Sequence, residues 1–317
     1  MSETKIPGRI LKNRYFYVLM SLCLFMAFSG LVSRSFFTWD NMITILRQAS
    51  ILVMLSLGLT AVVLTGHIDL SVGSFAALCG CICAQMLVLD FPAYAAVSSG
   101  ILVGALFGLA NGFLVGGLKL PSFVATYGMN MVAAGLAVIV MNGGVIYGLP
   151  SWFTGLGVGS FYMLPVPVIV SAITALALAW LLHKTVFGRK VYLIGMNARA
   201  AAYAGLNTFH TILLAYLICG ITGGMGGVLM TARLNAADAG MTEAYGLKIV
   251  AAVVTGGTSL LGGEGGIVGT VLGALILTVI SNIMNIRGIS SEWQNLVIGG
   301  AILLITGLDV LMRRRRR

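Results

Sequence analysis

Apolar stretches of about 18 residues or more recur from Tyr15 to Met312, each long enough to cross a hydrocarbon core of about 30 Å as a helix. Of the 317 residues 59% are hydrophobic and only 9% charged, more apolar surface than a soluble domain could hide. Inside a bilayer every backbone N–H must bond within its own segment. The expected fold class is therefore an all-α membrane protein, a polytopic helical bundle of about ten transmembrane helices forming one domain over 1–317. Function is to be sought at its few polar and glycine-rich interruptions.

By length and flanks the spans are Tyr15–Ser33, Ala49–Thr65, Leu70–Leu89, Ala93–Gly117, Ser122–Met141, Leu164–Leu182, Thr211–Ala232, Lys248–Leu261, Ile267–Asn285 and Gln294–Met312. The eighth is short and thick with glycine, so a broken or re-entrant segment is expected there. The net charge of +10 is distributed by side. With the N-terminus in the cytoplasm, the 1–14 segment, Lys119, the 183–210 loop and the tail Arg313–Arg317 carry fourteen of the nineteen basic residues on the inner face. Only Arg34, Arg47, Arg233, Lys248 and Arg287 fall outside or near that side. This is the positive-inside pattern, and it places both termini in the cytoplasm. The arginine run reads as an anchor beside anionic headgroups, with no folded basic surface for nucleic acid.

The first span lacks a clear small-x-small cleavage site and many spans follow it, so it reads as a retained anchor. Cys23, Cys79, Cys81, Cys83 and Cys219 all fall in apolar segments without His or acidic company, which suits small buried residues rather than a metal site. Among 42 glycines, the pairs 104/108, 108/112, 223/227 and 269/273 put small residues on one helical face, allowing close approach in lipid. The clusters Gly256–Gly257, Gly262–Gly263 and Gly265–Gly266 are too dense for a stable helix. A gapless echo relates Ala61–Gly73 to Ala251–Gly263, with Thr, Gly, Leu and Gly recurring in place. It is either chance in a Gly- and Val-rich chain or the trace of a repeat whose broken helices meet.

Three motifs carry the polar chemistry. In Gly66-His-Ile-Asp-Leu-Ser-Val-Gly-Ser74, Asp69 is either a functional acid in apolar surroundings or a cap accepting from the Ser71 or Val72 N–H of a helix starting at Leu70. His67 titrates in the neutral range but has no visible acid relay. The second motif, Val253–Gly266, contains Gly256, Gly257 and Thr258 but no Gly-Lys-Ser/Thr, so this chain has no phosphate-binding loop for ATP. The third, Phe187–Asn207, is basic and linker-like. There Asn197 can cap a helix over Ala198–Ala204 that Gly205 ends. Its small residues Ala200, Ala201 and Ala204 suit a partner's groove; a solvated linker helix is the alternative.

Read together, these stretches resemble the membrane permease subunits of ATP-binding-cassette importers for monosaccharides, the group that includes ribose, xylose, galactose, arabinose and autoinducer-2 permeases. The resemblance covers about Phe37 to Leu311. It rests on Gly66–Ser74, on Ala110–Val115 with Leu118–Thr126, on Phe187–Tyr192 with Gly195–Asn197 and Ala200–Gly205, on Ile249–Gly266 and on Ile289–Leu304. It implies a fold like the type II importers and a second permease copy, identical or related. It further implies a periplasmic or lipid-anchored sugar-binding protein and a cytoplasmic ATPase gripping the loop after the sixth span, with ATP and magnesium held by that ATPase. The setting is the bacterial inner membrane.

Three departures stand out: His67 where the family has Gly, no Arg within Asn130–Gly135, and Gly246 and Lys248 where acidic residues are common. The ATPase-coupling residues are then Gly195, Asn197, Ala200, Ala201, Ala204 and Gly205. Candidates for the pathway or gate are Asp69, Ser71, Asn111, Thr126, Asn130, Gly256, Gly257, Thr258 and Asn282. No catalytic residue and no metal ligand is expected. A permease for another small solute and an ion-coupled secondary transporter are the rival readings; the latter needs mid-span acids or histidines that are scarce here. A membrane-embedded enzyme needs a convergent acid–base set, and His67, His183 and His210 do not form one.

Overall fold

The computed structural model describes residues 8–290 and 292–300. Its helices are α1 Gly8–Val32, α2 Trp39–Leu64, α3 Val72–Val88, α4 Ala93–Gly112, α5 Ser122–Met141, α6 Ser151–Val158, α7 Val166–Lys184, α8 Val186–Met196, α9 Ala198–Tyr203, α10 Thr208–Leu234, α11 Gly246–Thr255 and α12 Ile267–Ile286, and residues 292–300 are helical as well. Four two-residue strands, β1 Ile146–Tyr147, β2 Ser160–Phe161, β3 Leu164–Pro165 and β4 Ala236–Ala237, form two antiparallel pairs, β1 with β4 and β2 with β3.

Seven helices among the described residues are long and apolar enough to span a membrane, and α3 and α11 are shorter apolar helices. Of the ten expected spans, the third is thus a 17-residue helix and the eighth a 10-residue one. The eighth is broken where its glycines begin: α11 stops at Thr255, and Gly257, Gly262, Gly263 and Gly265 all take positive φ. The tenth continues past the described residues, as does the basic tail. The second begins ten residues earlier than its apolar core, because Asp40, Asn41, Arg47 and Gln48 remain helical. Arg47 reaches the Val158 carbonyl at 2.7 Å, and Asn41 pairs with Asn282 on α12, each amide donating to the other at 3.1 and 2.8 Å.

Burial separates centre from rim. Two-thirds of the apolar windows of α2 and α10 are buried, against 11% for α1 and 22% for α4, α5 and α7. The long α2 and α10 therefore run through the middle, and the others present one face outward, as lipid-facing helices do. Glycine makes this possible. A methyl on Gly104 would overlap the Gly220 carbonyl oxygen, and one on Gly108 the Tyr216 carbonyl oxygen, so α4 lies backbone-close to α10. Gly223 and Gly227 accommodate Phe75 and the Ala76 backbone of α3, and Gly269 and Gly273 accommodate α11. The expected small-residue faces are all used.

Cys79, Cys81, Cys83 and Cys219 are buried free thiols as expected, whereas Cys23 is exposed: it lies on the outward face of the rim helix α1. After Gly112 the α4 helix continues as one wide turn of π-helix over Phe113–Gly117, packing Gly116 and Gly117 against Ile212 and Phe209.

Candidate functional site

The turn between α2 and α3 opens backbone groups to a medium with no water to satisfy them, so side chains must do so. They come from α5 and α10. The Ile68 carbonyl accepts from the Tyr216 hydroxyl at 3.0 Å, the Leu70 N–H donates to Thr126 Oγ1 at 3.1 Å, and the Ile68 N–H donates to Ser122 Oγ at 3.3 Å. Tyr216 and the Phe75–Gly223 contact put this turn near the middle of α10. Asp69, 1% exposed, accepts from the Ser71 N–H at 2.9 Å, from Ser71 Oγ at 2.6 Å and from Asn111 Nδ2 at 3.1 Å. Asn111 Nδ2 also reaches Ser71 Oγ at 2.8 Å, while its buried Oδ1 has no partner among the described residues.

The expected bond from the Ser71 N–H is present. The helix, however, begins at Val72 rather than Leu70, so Asp69 closes a tight turn ahead of α3 instead of occupying the cap position. Ser74 Oγ donates to Asn130 Oδ1 at 2.7 Å, extending the polar seam along α5. His67 bonds Thr65 Oγ1 at 3.0 Å.

The second interruption folds on itself. The Gly266 N–H donates to the buried Thr258 Oγ1 at 3.3 Å, the Ser259 N–H to the Glu264 carbonyl at 2.9 Å and the Leu261 N–H to Ser259 Oγ at 3.2 Å. Gly256 packs directly on Gly269. The two echo segments meet here: the Gly263 N–H donates to the Leu64 carbonyl at 2.9 Å, and a Cβ on Gly262 would lie 2.7 Å from the Gly66 nitrogen. In both segments a helix ends just before the matching glycine, α2 at Leu64 and α11 at Thr255.

The third motif closes on the same point. Thr185 caps α8 by accepting from the Gly188 N–H at 3.3 Å, and Asn197 caps α9 by accepting from the Ala200 N–H at 3.0 Å. Gly205, at φ +79°, follows α9 as expected of a terminator. Gly195, in the last turn of α8, leaves no room for a methyl against the Leu64 carbonyl oxygen, and a Cβ on Gly262 would lie 2.9 Å from the Gly195 Cα. Tyr192 ties α8 to the glycine loop by donating to the Gly265 carbonyl at 3.0 Å. Burial pushes that phenol up, so it stays a donor.

One expectation is corrected here. Ala201 is 6% exposed and faces the protein's own helices, whereas Ala200 and Ala204 are exposed and Tyr203 is 92% exposed. The face that α9 offers outward is therefore built on Ala200, Tyr203 and Ala204. Asn282 does not join the central seam either; its partner is Asn41.

Two cavities lie toward the other end of α2, which at 26 residues is about 39 Å long. One, of about 400 Å³, is lined by Trp39, Asp40, Arg47, Ser160, Tyr162 and Met163 among others. The other, of about 180 Å³, lies where α2, α10, α11, α12 and the 292–300 helix meet, and includes Gln48, Arg233, Lys248, Ser281, Asn285 and Gln294. Neither is lined by the Asp69 network. Sequence reasoning treated Arg233 as an outer-face charge, and Lys248 as that and as a departure from the family's acidic residues. Of the other lining residues, Leu277, Thr278, Ser281 and Asn285 come from α12 and Gln48 and Leu52 from α2.

A bundle of apolar helices interrupted at two touching polar turns, with no nucleotide loop of its own, defines a membrane permease component. Residues 41–306 match the model of the family described as branched-chain amino acid transport system / permease component. The chain is 36% identical over 298 residues to the ribose import permease protein RbsC of Escherichia coli strain K12, covering 92% of each chain. It is 35% identical over 288 residues to the D-allose transport system permease protein AlsC of the same strain, covering 90% of this chain and 88% of that one. It is 32% identical over 304 residues to the autoinducer 2 import system permease protein LsrC of Yersinia pestis strain Pestoides F, covering 96% and 87%. The chain belongs to this family of transport-system permeases and is a multi-pass membrane protein.

Proposed function

We propose that this chain is the translocating permease subunit of an ATP-binding-cassette importer that carries a monosaccharide or a close relative of one across the inner membrane. The similarity to ribose, allose and autoinducer-2 import permeases over most of the chain supports the solute class. The observation that carries the mechanism is the junction of Gly195, Leu64 and Gly263. It makes the exposed α9 helix continuous, through α8, with the ends of both interrupted helix pairs.

In this reading a cytoplasmic ATPase, which holds the ATP and magnesium, seats the Ala200, Tyr203 and Ala204 face of α9. Its closure pushes α8, and α8 moves the Leu64 and Gly263 ends together. Asp69, Ser71, Asn111, Thr126 and Asn130 keep the first break rigid while this happens. Gly256, Gly257 and Thr258 let the second one bend. The solute arrives from an extracytoplasmic binding protein, a second permease copy completes the pathway, and both termini and α9 face the cytoplasm. Uptake by cells lacking the ATPase tests the reading: it should vanish, and uptake that persists on an ion gradient would overturn it.

A further inference from the structure

The 180 Å³ cleft is lined unlike the rest of the bundle. Arg233 from α10 and Lys248 from α11 line it, and both are partly buried. Gln48 from α2, Ser281 and Asn285 from α12, and Gln294 line it as well. Gln294, 6% exposed, spends its amide hydrogens on Asn285 Oδ1 at 2.7 Å and the Ile289 carbonyl at 3.3 Å, which sets the wall in place. Arg233 lies against the Tyr245 hydroxyl. Among the described residues no carboxylate lines the cleft, although it holds two cations. Lys248 lies in the first turn of α11, whose N–H groups have no side-chain cap. Charges drawn into a helix bundle are costly unless a counter-charge meets them. The rest of the polar lining offers amides and hydroxyls that both donate and accept.

We propose that this cleft is a solute site, and that the solute it takes is a polyhydroxylated molecule of monosaccharide size bearing one anionic group, a carboxylate or a phosphate. The anion sits between Lys248 and Arg233, and the hydroxyls face Gln48, Ser281 and Asn285. An arginine fork and a lysine point charge together suit either anion. The cleft lies in the half of the bundle that contains Trp39 and Tyr162, where an incoming solute arrives in the orientation proposed above. The inference deepens the permease reading and rests on it.

The test uses the full chain in phosphatidylcholine nanodiscs, which contain no anionic lipid headgroup to fill the cleft. Thermal protection is titrated with D-ribose, D-ribonate, ribose 5-phosphate and inorganic phosphate. D-ribonate or ribose 5-phosphate should protect at a concentration at least about tenfold lower than D-ribose or inorganic phosphate. Lys248→Gln should abolish that preference and Lys248→Arg should keep it. The preference in the unsubstituted protein decides the matter even if a variant fails to fold. Equal protection by ribose and ribonate, protection by phosphate alone at the same concentration, no protection by any of them, or a preference that survives Lys248→Gln would each overturn the proposal. None of these results touches ATPase association, so the permease reading stands or falls separately.

Discussion

The backbone N–H of Gly263 donates to the carbonyl of Leu64 at 2.9 Å, joining the loop after α11 to the end of α2, 199 positions apart in sequence. Leu64 is also the residue whose carbonyl oxygen leaves no space for a side chain on Gly195. Three chain segments therefore share one backbone contact.

Gly195→Ala should break this contact. The added methyl overlaps backbone rather than a movable side chain, so the neighbours must shift, at a cost of about 1–3 kcal/mol. A lower melting temperature, together with ATPase activity that no longer responds to solute, is the expected outcome. Normal melting and normal coupling would show that the junction yields freely.

Asn111→Leu should destabilise the protein more than Asp69→Asn does. Leucine removes the one side chain from α4 that reaches Asp69 and leaves that buried group short of a donor, a loss of about 1–3 kcal/mol. Asparagine at 69 keeps the shape and removes the charge. Thermal unfolding of both variants in the same detergent checks the order.

At the α4–α10 contact, Gly104→Leu should prevent the two helices from approaching, since its Cβ already meets the Gly220 carbonyl. The expected result is loss of folded protein in the membrane fraction. The same change at Gly128, where nothing lies within 4 Å, should be tolerated.

Much of the local chemistry was legible in the chain. Asn197 and Gly205 bracket α9 because capping acts over three residues and a positive-φ terminator needs glycine. The Asp69–Ser71 turn follows for the same local reason. What could not be read depends on packing between distant segments. Asn41 and Asn282 are 241 positions apart, and neither shows a local sign of its partner. Ala201 is chemically identical to Ala200, and only the placement of α9 against the bundle decides which of them is buried. The cleft around Lys248 sets the Thr278, Ser281 and Asn285 side of α12 against Gln48, Arg233 and Lys248 from three other helices, a meeting that only the packing of distant segments produces. The echo of Ala61–Gly73 in Ala251–Gly263 proved informative about contact: the two loops touch, although the pairing is offset, Gly262 meeting Gly66 where the alignment had placed Gly256.

The proposed orientation can be tested at two exposed tyrosines toward opposite ends of α2, Tyr203 at 92% and Tyr162 at 90% exposure. Single cysteines at these positions, in a background without other cysteines, should be labelled by a membrane-impermeant reagent from opposite sides, Tyr162→Cys from outside whole cells and Tyr203→Cys only after lysis. Labelling of both from one side would overturn the proposed topology.

The most direct measurement of the coupling account is co-purification of the ATPase with the permease carrying Tyr203→Asp or Ala204→Glu, with Tyr162→Asp as the control. All three side chains lie on exposed surface, so folding should survive each change. Loss of the ATPase and of uptake from both α9 variants, with full retention by Tyr162→Asp, is the expected result. ATPase that stays bound and uptake that continues in both α9 variants would contradict the account and place the coupling surface elsewhere.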